Sequence, residues 1–405
     1  LPILPIPNPH SPFPDWFMFL KTLRLRQFRN YQEQKVVFEA PKTILVGNNA
    51  QGKSNLLEAV ELLSTLKSHR ANRDRELILE TQSIAHIEGS LERITGIIDL
   101  SLTLRSQGRR TVFINGNSPP RNVDFLSVLN VVEFSSLDLD LVRGAPEERR
   151  NWIDRLVIQL EPIYANILYE YNKVLRQRNA LLRTEKNLVN ISVNTQTLVT
   201  TNQSSFSQLA LWDAQLVATG TRVIRRRDRI LKRLIPLAQN WHHAISGSQE
   251  NLDIEYIANV SITDENLPLS PEIVQEAFFT KIKEKAIAEQ YQGTTLAGPH
   301  RDDIAFTINK TPARQYASQG QQRTLVLALK LAELQLIEEV IGEPPLLLLD
   351  DVLAELDLNR QNQLLEVIQD RFQTLITTTH LSAFDAQWLR ETQVLSVHSG
   401  KISEF

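Results

Sequence analysis

Residues Gly47-Asn48-Asn49-Ala50-Gln51-Gly52-Lys53-Ser54 read G-x-x-x-x-G-K-S, and their flanks constrain the fold more than any other feature of the chain. The apolar run Thr43-Ile44-Leu45-Val46 precedes the loop, and the helix-like stretch Asn55-Leu56-Leu57-Glu58-Ala59-Val60 follows it. Strand, glycine loop and helix in that order make a cradle for phosphate oxygens, because curled backbone N–H groups and the positive end of the helix dipole point at one spot. In that reading all of Gly47, Asn48, Asn49, Ala50, Gln51, Gly52, Lys53, Ser54 and Asn55 border a nucleoside triphosphate. Lys53 meets the β and γ phosphates and Ser54 offers a hydroxyl to Mg²⁺. A chance match in a Gly/Asn-rich turn is the alternative, and the fit of both flanks weighs against it.

At 405 residues the chain is too long for one ordinary core, and two to three domains are expected. Cysteine is absent, which excludes disulfides and cysteine-held zinc or iron–sulfur centres. A formal net charge of −3 argues against coating nucleic acid by bulk charge, so such a partner must be gripped by local basic faces. The longest aliphatic run, Leu346 to Leu349, is far short of the ~20 residues that cross a bilayer, and a cytoplasmic protein without membrane partners is expected. Residues 1–17 are proline-rich without a basic start, reading as a disordered or artefactual extension. The single methionine, Met18, stands just before the first strand pattern and is the expected natural start.

Alternation of Leu23 and Leu25 with Arg24 and Arg26 marks a strand, and further β patterns lie at Lys35–Phe38, around Ile87, at Gly96–Leu104 and at Thr111–Ile114. An antiparallel sheet beside the phosphate loop is expected. From about Pro146 to Pro236 the period becomes helical, with Tyr164, Leu168, Tyr171 and Leu175 on one stripe and Trp212, Leu216, Val223, Ile230 and Leu234 on another. Between them Asn187–Gln208 carries no charge and reads as a loose polar loop joining a helical hairpin. A strand at Ile254–Val260, a helix at Glu272–Gln290 and a strand at Ile304–Ile308 follow.

In the last third, Leu346–Leu349 ends in Asp350-Asp351, and the carboxyl end of a parallel strand is where α/β sheets bind ligands. Asp350 is the candidate Mg²⁺ ligand and Asp351 the candidate group to orient or deprotonate a water. Seen alone, the same residues also fit an ordinary turn. Ser318-Gln319-Gly320-Gln321-Gln322 opens a helix with Leu325, Ala328, Leu329, Ala332 and Leu336 on its apolar face. Ser318 is a good N-cap and such a helix start can hold an anion, although a merely capped amphipathic helix fits as well.

Taken in order, Gly47–Ser54, Ser318–Gln322, Leu346–Asp351, Glu355-Leu356-Asp357 and Thr379-His380 resemble the Walker A, signature, Walker B, D-loop and switch motifs of the ABC-type ATPases. Leu25-Arg26-Gln27-Phe28-Arg29-Asn30-Tyr31, Gly298-Pro299-His300-Arg301-Asp302-Asp303 and Leu349–Asp357 bring the resemblance closer to the RecF family of SMC-like ATPases, from Met18 to the end of the chain. That resemblance implies an α/β ABC-type head, with a mixed sheet carrying the P-loop, formed by 18–125 and 296–405. A mostly helical lobe with a basic hairpin, 126–295, is inserted in it. It further implies an ATP-dependent homodimer in which Lys53 and Ser54 of one copy hold ATP and Mg²⁺ while Ser318, Gly320 and Gln321 of the other close on the γ-phosphate. His380 is the switch residue in that scheme, or else a satisfied surface histidine. Asp351 stands where transporter ATPases carry glutamate, and its shorter arm implies slow hydrolysis.

Two basic stretches lie on the hairpin: Lys173, Arg176, Arg178, Arg183 and Lys186, then Arg222, Arg225, Arg226, Arg227, Arg229, Lys232 and Arg233. With Asp228 the only acid between 222 and 233, local pairing is scarce, and sequence-independent contact with DNA phosphates is the expectation over a solvated helix face. Arg24, Arg26, Arg29, Arg70 and Arg73 are further candidates for DNA or nucleotide. The function implied is ATP-dependent binding of duplex or gapped DNA in recombinational repair, beside other recombination mediator proteins. The alternatives are an ATPase subunit of a membrane transporter and a nucleotide-gated scaffold that hardly hydrolyses ATP.

Overall fold

The computed structural model describes residues 18–71, 73–93, 96–195, 203–260, 270–353, 356–368, 371–384 and 386–405. The expectations placed on residues 1–17, Glu355 and the stretch 196–202 lie outside these. The chain divides into two compact units, one of residues 1–142, 237–251 and 317–405, the other of residues 143–236 and 252–316.

Fourteen strands are labelled in chain order: β1 Phe19–Phe28, β2 Tyr31–Val37, β3 Lys42–Val46, β4 Ile84–Arg93, β5 Gly96–Arg105, β6 Thr111–Ile114, β7 Val131–Ser135, β8 Leu252–Ile257, β9 Asp303–Ile308, β10 Thr311–Pro312, β11 Leu346–Asp350, β12 Thr374–Thr378, β13 Thr392–His398 and β14 Lys401–Glu404. In the first unit β2-β1-β4-β5-β6 form an antiparallel sheet, and β14-β13-β3-β12-β11-β7 form a second sheet. There β13, β3, β12, β11 and β7 run parallel and β14 pairs antiparallel at the edge. Every residue of β3 is buried, as are the four leucines of β11, which is the continuous apolar reading of a parallel strand covered on both faces. β1 alternates instead, with Leu23 and Leu25 inside and Arg24 and Arg26 paired to Glu33 and Glu88.

The helix Lys53–Thr65 joins these sheets. Leu56, Leu57, Val60 and Leu63 share one hydrophobic cluster with Leu23, Leu25 and Ile87 of the antiparallel sheet and with Leu45, Leu348 and Leu375 of the parallel one. At roughly 1.5–3 kcal/mol for each large apolar side chain buried, that cluster fixes the loop before the helix more firmly than any polar contact in it. The signature helix Gln319–Ile341 belongs to the same unit, capped by Ser318 and ended by Gly342 at φ 81°.

The second unit carries the antiparallel sheet β10-β9-β8 and the helices Pro146–Leu160, Ile163–Thr195 and Pro271–Gln292, with the helix Gln203–Ile245 up to Pro236. Trp152, Tyr164, Tyr171 and Phe278 are its largest buried apolar bodies, and Trp152 meets Phe306 of β9 edge-on at 6.3 Å between centroids. Helical structure extends further into the polar stretch than the loop expected over 187–208, because one helix continues to Thr195 and the next begins at Gln203. The division also falls elsewhere than expected. β7 pairs with β11 and so draws 126–142 into the first unit, whereas β9 pairs with β8 and draws 296–316 into the second.

Candidate functional site

Three parallel strands, β3, β11 and β12, end side by side in the first unit, and each delivers one part of a site at its carboxyl end. From β3 comes the loop Gly47–Gly52. Gly52 sits at φ 116°, where a Cβ would stand 2.7 Å from the Asn30 amide, so both conformation and space demand glycine. At Gly47 a Cβ would lie 2.3 Å from the Val397 carbonyl oxygen. With glycine as N-cap, the helix Lys53–Thr65 has no side-chain cap, which leaves its leading N–H groups for an anion.

The loop is clamped from outside. Asn30 donates to the Gln51 carbonyl at 2.9 Å and accepts from Asn55 at 2.9 Å, and the Tyr31 hydroxyl donates to the Gly52 carbonyl at 2.9 Å. Burial raises the Tyr31 pKa far above the usual phenol range, so it stays a donor. Gln51 accepts from the Ser399 N–H at 2.7 Å, which ties the β13–β14 turn to the loop. Inside, the buried Lys53 ammonium donates to the carbonyls of Gly47 and Asn48 at 2.8 and 3.0 Å, within the span a phosphate would fill.

β11 supplies Asp350 and β12 supplies Thr377, its register partner. Asp350 Oδ1 accepts from the Ser54 hydroxyl at 2.8 Å and from the Thr377 hydroxyl at 2.6 Å. Three oxygens from three elements thus meet, a hard donor set that fits Mg²⁺. Asp351 follows at φ 55°, with its N–H on Thr377 Oγ1 at 3.0 Å. Burial pushes its carboxyl above the usual range, Lys53 opposes that shift and Asp350 adds to it. A half-buried carboxylate with a raised pKa suits proton acceptance from water.

Lys53, Ser54, Asn55 and Asp351 line a cavity of about 720 Å³ together with Arg29 and Arg70. That volume falls within the roughly 300–1,000 Å³ of small-molecule sites. Arg29 is held by Glu58, which is fully buried, through two bonds of 2.6 and 2.8 Å, and Arg70 donates to Asn55 Oδ1 at 3.0 Å. Thr377 and the clamp on Gln51 were not singled out from the sequence. Each acts across more than 20 positions of chain, with no local motif to announce it.

The signature residues lie elsewhere. Neither Ser318, Gly320, Gln321 nor His380 lines the cavity. Ser318 is exposed, its Oγ accepts from the Gln321 N–H at 3.2 Å, and Gln321 Oε1 accepts from the Ser318 N–H at 2.8 Å, a closed capping box. Gln321 Nε2 also donates to Glu250 at 2.9 Å. A Cβ on Gly320 would have the Arg360 guanidinium as its nearest neighbour, at 3.6 Å. His380 is exposed at the end of β12, its N–H on Thr378 Oγ1 at 3.2 Å.

Two of the candidate DNA-contacting arginines need correction. Arg178 is 1% exposed and donates to Asp213 at 2.7 Å, Glu289 at 2.7 Å and Thr295 at 2.9 Å. Arg227 is 3% exposed and holds Asp154 at 2.8 and 2.9 Å, the Pro299 carbonyl at 2.7 Å and Asp302 at 3.3 Å. Both are internal counter-ions of the second unit, out of reach of DNA. The acids missing from 222–233 come from other parts of the chain. Glu161 also accepts from Arg226 at 3.2 Å and from Arg229. Arg176, Arg222, Arg225 and Arg229 remain exposed and Arg226 half-buried.

The model of the RecF/RecN/SMC N terminal domain matches residues 19–402. The chain is 66% identical over 393 residues to the DNA replication and repair protein RecF of Trichodesmium erythraeum (strain IMS101), covering 96% of this chain and 99% of that one. Against the protein of the same name from Nostoc punctiforme (strain ATCC 29133 / PCC 73102) it is 67% identical over 385 residues, with 95% and 99% covered. The solved structure of the recombination mediator protein RecF-ATPrS in the RecFOR pathway superposes with a TM-score of 0.85 at 30% identity, covering 96% of this chain and 98% of that chain. An Smc head domain from Pyrococcus furiosus, at a TM-score of 0.52 and 15% identity over 96% of each chain, shares the fold alone.

Proposed function

The chain belongs to the RecF/RecN/SMC N-terminal domain family, and from that premise we propose that it is a cytoplasmic, ATP-dependent DNA-binding protein of recombinational repair and replication restart that works as an ATP-clamped homodimer. One observation carries the reading: Lys53, Ser54 and Asp351 line one cavity, with Asp350 hydrogen-bonded to Ser54 at its edge, while Ser318 stands exposed and Gly320 half-buried at a helix start outside it. A site missing its γ-phosphate partner is completed by a second copy.

In this mechanism Lys53 exchanges the carbonyls of Gly47 and Asn48 for the phosphates of ATP. Ser54 and Asp350 would hold Mg²⁺, which when bound neutralises phosphate charge. Asp351 takes the proton of the attacking water, slowly because of its short arm. Ser318 uses a lone pair in its capping box, so its O–H proton is available to a phosphate oxygen of the other copy. Gly320 lets that oxygen approach, with Gln321 and His380 beside it. ATP then acts as the glue between copies, coupling nucleotide state to association. Arg176, Arg222, Arg225, Arg226 and Arg229 contact the phosphates of duplex or gapped DNA without reading bases. Other recombination mediators are the expected protein partners, since the relative of solved structure acts in the RecFOR pathway.

Light scattering after size exclusion tests the proposal. Wild type shifts from monomer to dimer mass on adding ATP and Lys53→Ala does not. A Lys53→Ala protein that dimerises with ATP like the wild type would refute the clamp.

A further inference from the structure

Behind the phosphate loop, and outside the cavity, three ligand-type side chains converge from three segments of the first unit. Glu61 lies on the helix Lys53–Thr65, His69 on the turn after it and Glu133 on β7. Their ligand atoms all lie within 4.8 Å of one another. His69 Nδ1 is 2.8 Å from Glu61 Oε2 and 3.0 Å from Glu133 Oε2, and all three side chains are largely buried, 5–13% exposed.

A plain ion pair does not satisfy this arrangement. One ring nitrogen offers one N–H, which cannot point well at two carboxylate oxygens, and Glu133 Oε1 is buried with no hydrogen-bond partner among the described residues. The nearby cation is engaged elsewhere, since Lys330 lies 2.9 Å from Asp138 and 3.5 Å from Glu333. A buried carboxylate oxygen left without a partner, as Glu133 Oε1 is among the described residues, is costly and calls for a further cation or a proton.

We infer that Glu61, His69 and Glu133 form a binding site for a divalent first-row transition ion, separate from the nucleotide's Mg²⁺ site. One imidazole and two carboxylates form a mixed nitrogen and oxygen set that favours such an ion over Mg²⁺. Spacing narrows the geometry. At a metal–ligand distance of about 2.1 Å, neighbouring ligands are roughly 3.0 Å apart on an octahedron and roughly 3.4 Å apart on a tetrahedron. The separations of 2.8 and 3.0 Å from His69 Nδ1 match adjacent ligands of an octahedral ion, and Mn²⁺ is the probe.

The ion fastens working parts of the site. Ser68, just before His69, donates to Glu58 at 2.5 Å, and Arg70, just after it, lines the nucleotide cavity. Glu133 lies opposite Leu348 of β11, the strand that ends in Asp350. An occupied site thus braces the loop helix, the Arg70 turn and the strand beside β11 at once.

The test is Mn²⁺ titration of the full chain without nucleotide, read by electron paramagnetic resonance. Wild type and Asp350→Asn are expected to bind one Mn²⁺ with equal affinity, and Glu133→Gln and His69→Gln to lose at least about tenfold. Spin-echo modulation from one bound imidazole nitrogen is expected in the wild type, a readout that needs no variant to fold. No bound Mn²⁺, no nitrogen coupling, equal affinity in folded Glu133→Gln, or loss of the ion in Asp350→Asn would each overturn the inference.

Discussion

The phosphate loop and the arginine-rich helix 222–233 are both dense in polar residues, yet they hold their charges in opposite ways. In the loop the groups that matter are backbone N–H donors of one short segment, and Lys53 rests on carbonyls five and six positions away. On the helix the charges are sorted by face. Arg227 points into the unit among Val223, Ile224, Ile230 and Leu234, where Asp154 and Asp302 meet it, while Arg222, Arg225 and Arg229 lie on the exposed side. A run of arginines is therefore two populations with different work, and the helical period separates them.

The sharpest way to break that distinction is Arg227→Ala. It leaves Asp154 and Asp302 as buried acids without their guanidinium, and a loss of about 3–5 kcal/mol in urea unfolding is expected. Arg178→Ala, facing Asp213 and Glu289, is expected to behave alike; a loss near zero in either would return that residue to the DNA-facing set.

Next in size is a pH effect in the same unit. His300 takes the Tyr171 hydroxyl on Nδ1 at 2.6 Å, donates from Nε2 to the Thr295 carbonyl at 3.2 Å, and burial pushes its pKa down from 6.5 to about 4. Between those values the unfolded chain binds the proton and the folded one does not. The neutral ring's contribution is whole above pH 6.5 and falls by about 3 kcal/mol as pH drops through 6.5 toward 4. Asp302 is raised by burial and acts in the opposite sense, so the quantity to measure is the difference between wild type and His300→Gln. Parallel stability curves from pH 7 to 4 would show that His300 is not buried neutral.

On the loop side, Thr377→Val removes one of the two hydroxyls on Asp350 and is expected to cost about 1 kcal/mol of ATP affinity, roughly fivefold, by calorimetry. No change would mean that Ser54 alone positions the carboxylate. Smallest in stability are Arg222→Ala and Arg225→Ala, expected within about 0.5 kcal/mol of wild type. Each should lower DNA affinity evenly across sequences and reduce the salt slope by about one. An unchanged slope would remove that arginine from the DNA face.

The same contrast explains what the sequence disclosed. The loop, the helix from Gln319 with its Ser318 cap, the apolar strand ending in Asp350 and the short strand ending at Ile308 were legible because each is a local pattern with a local physical cause. Arg178 and Arg227 were misplaced because their acids stand 35 to 111 positions away. Thr377 went unseen since its role comes from β12 lying beside β11, a matter of sheet order. The assignment of 126–142 to the helical lobe failed for a similar reason, as β7 joins its sheet only through a parallel partner more than 200 residues later. Charge-free composition over 187–208 hid helix ends that run to Thr195 and resume at Gln203.

Complementation between damaged copies tests the central claim, a nucleotide site shared by two chains. Lys53→Ala spoils the loop half and Ser318→Arg the signature half, so each alone should stay monomeric by light scattering with ATP. Mixed in equal amounts they should yield a dimer of one copy of each, holding ATP between the intact loop of the second and the intact signature of the first. A mixture that stays monomeric while wild type dimerises, or a Ser318→Arg protein that dimerises unaided, would contradict the account.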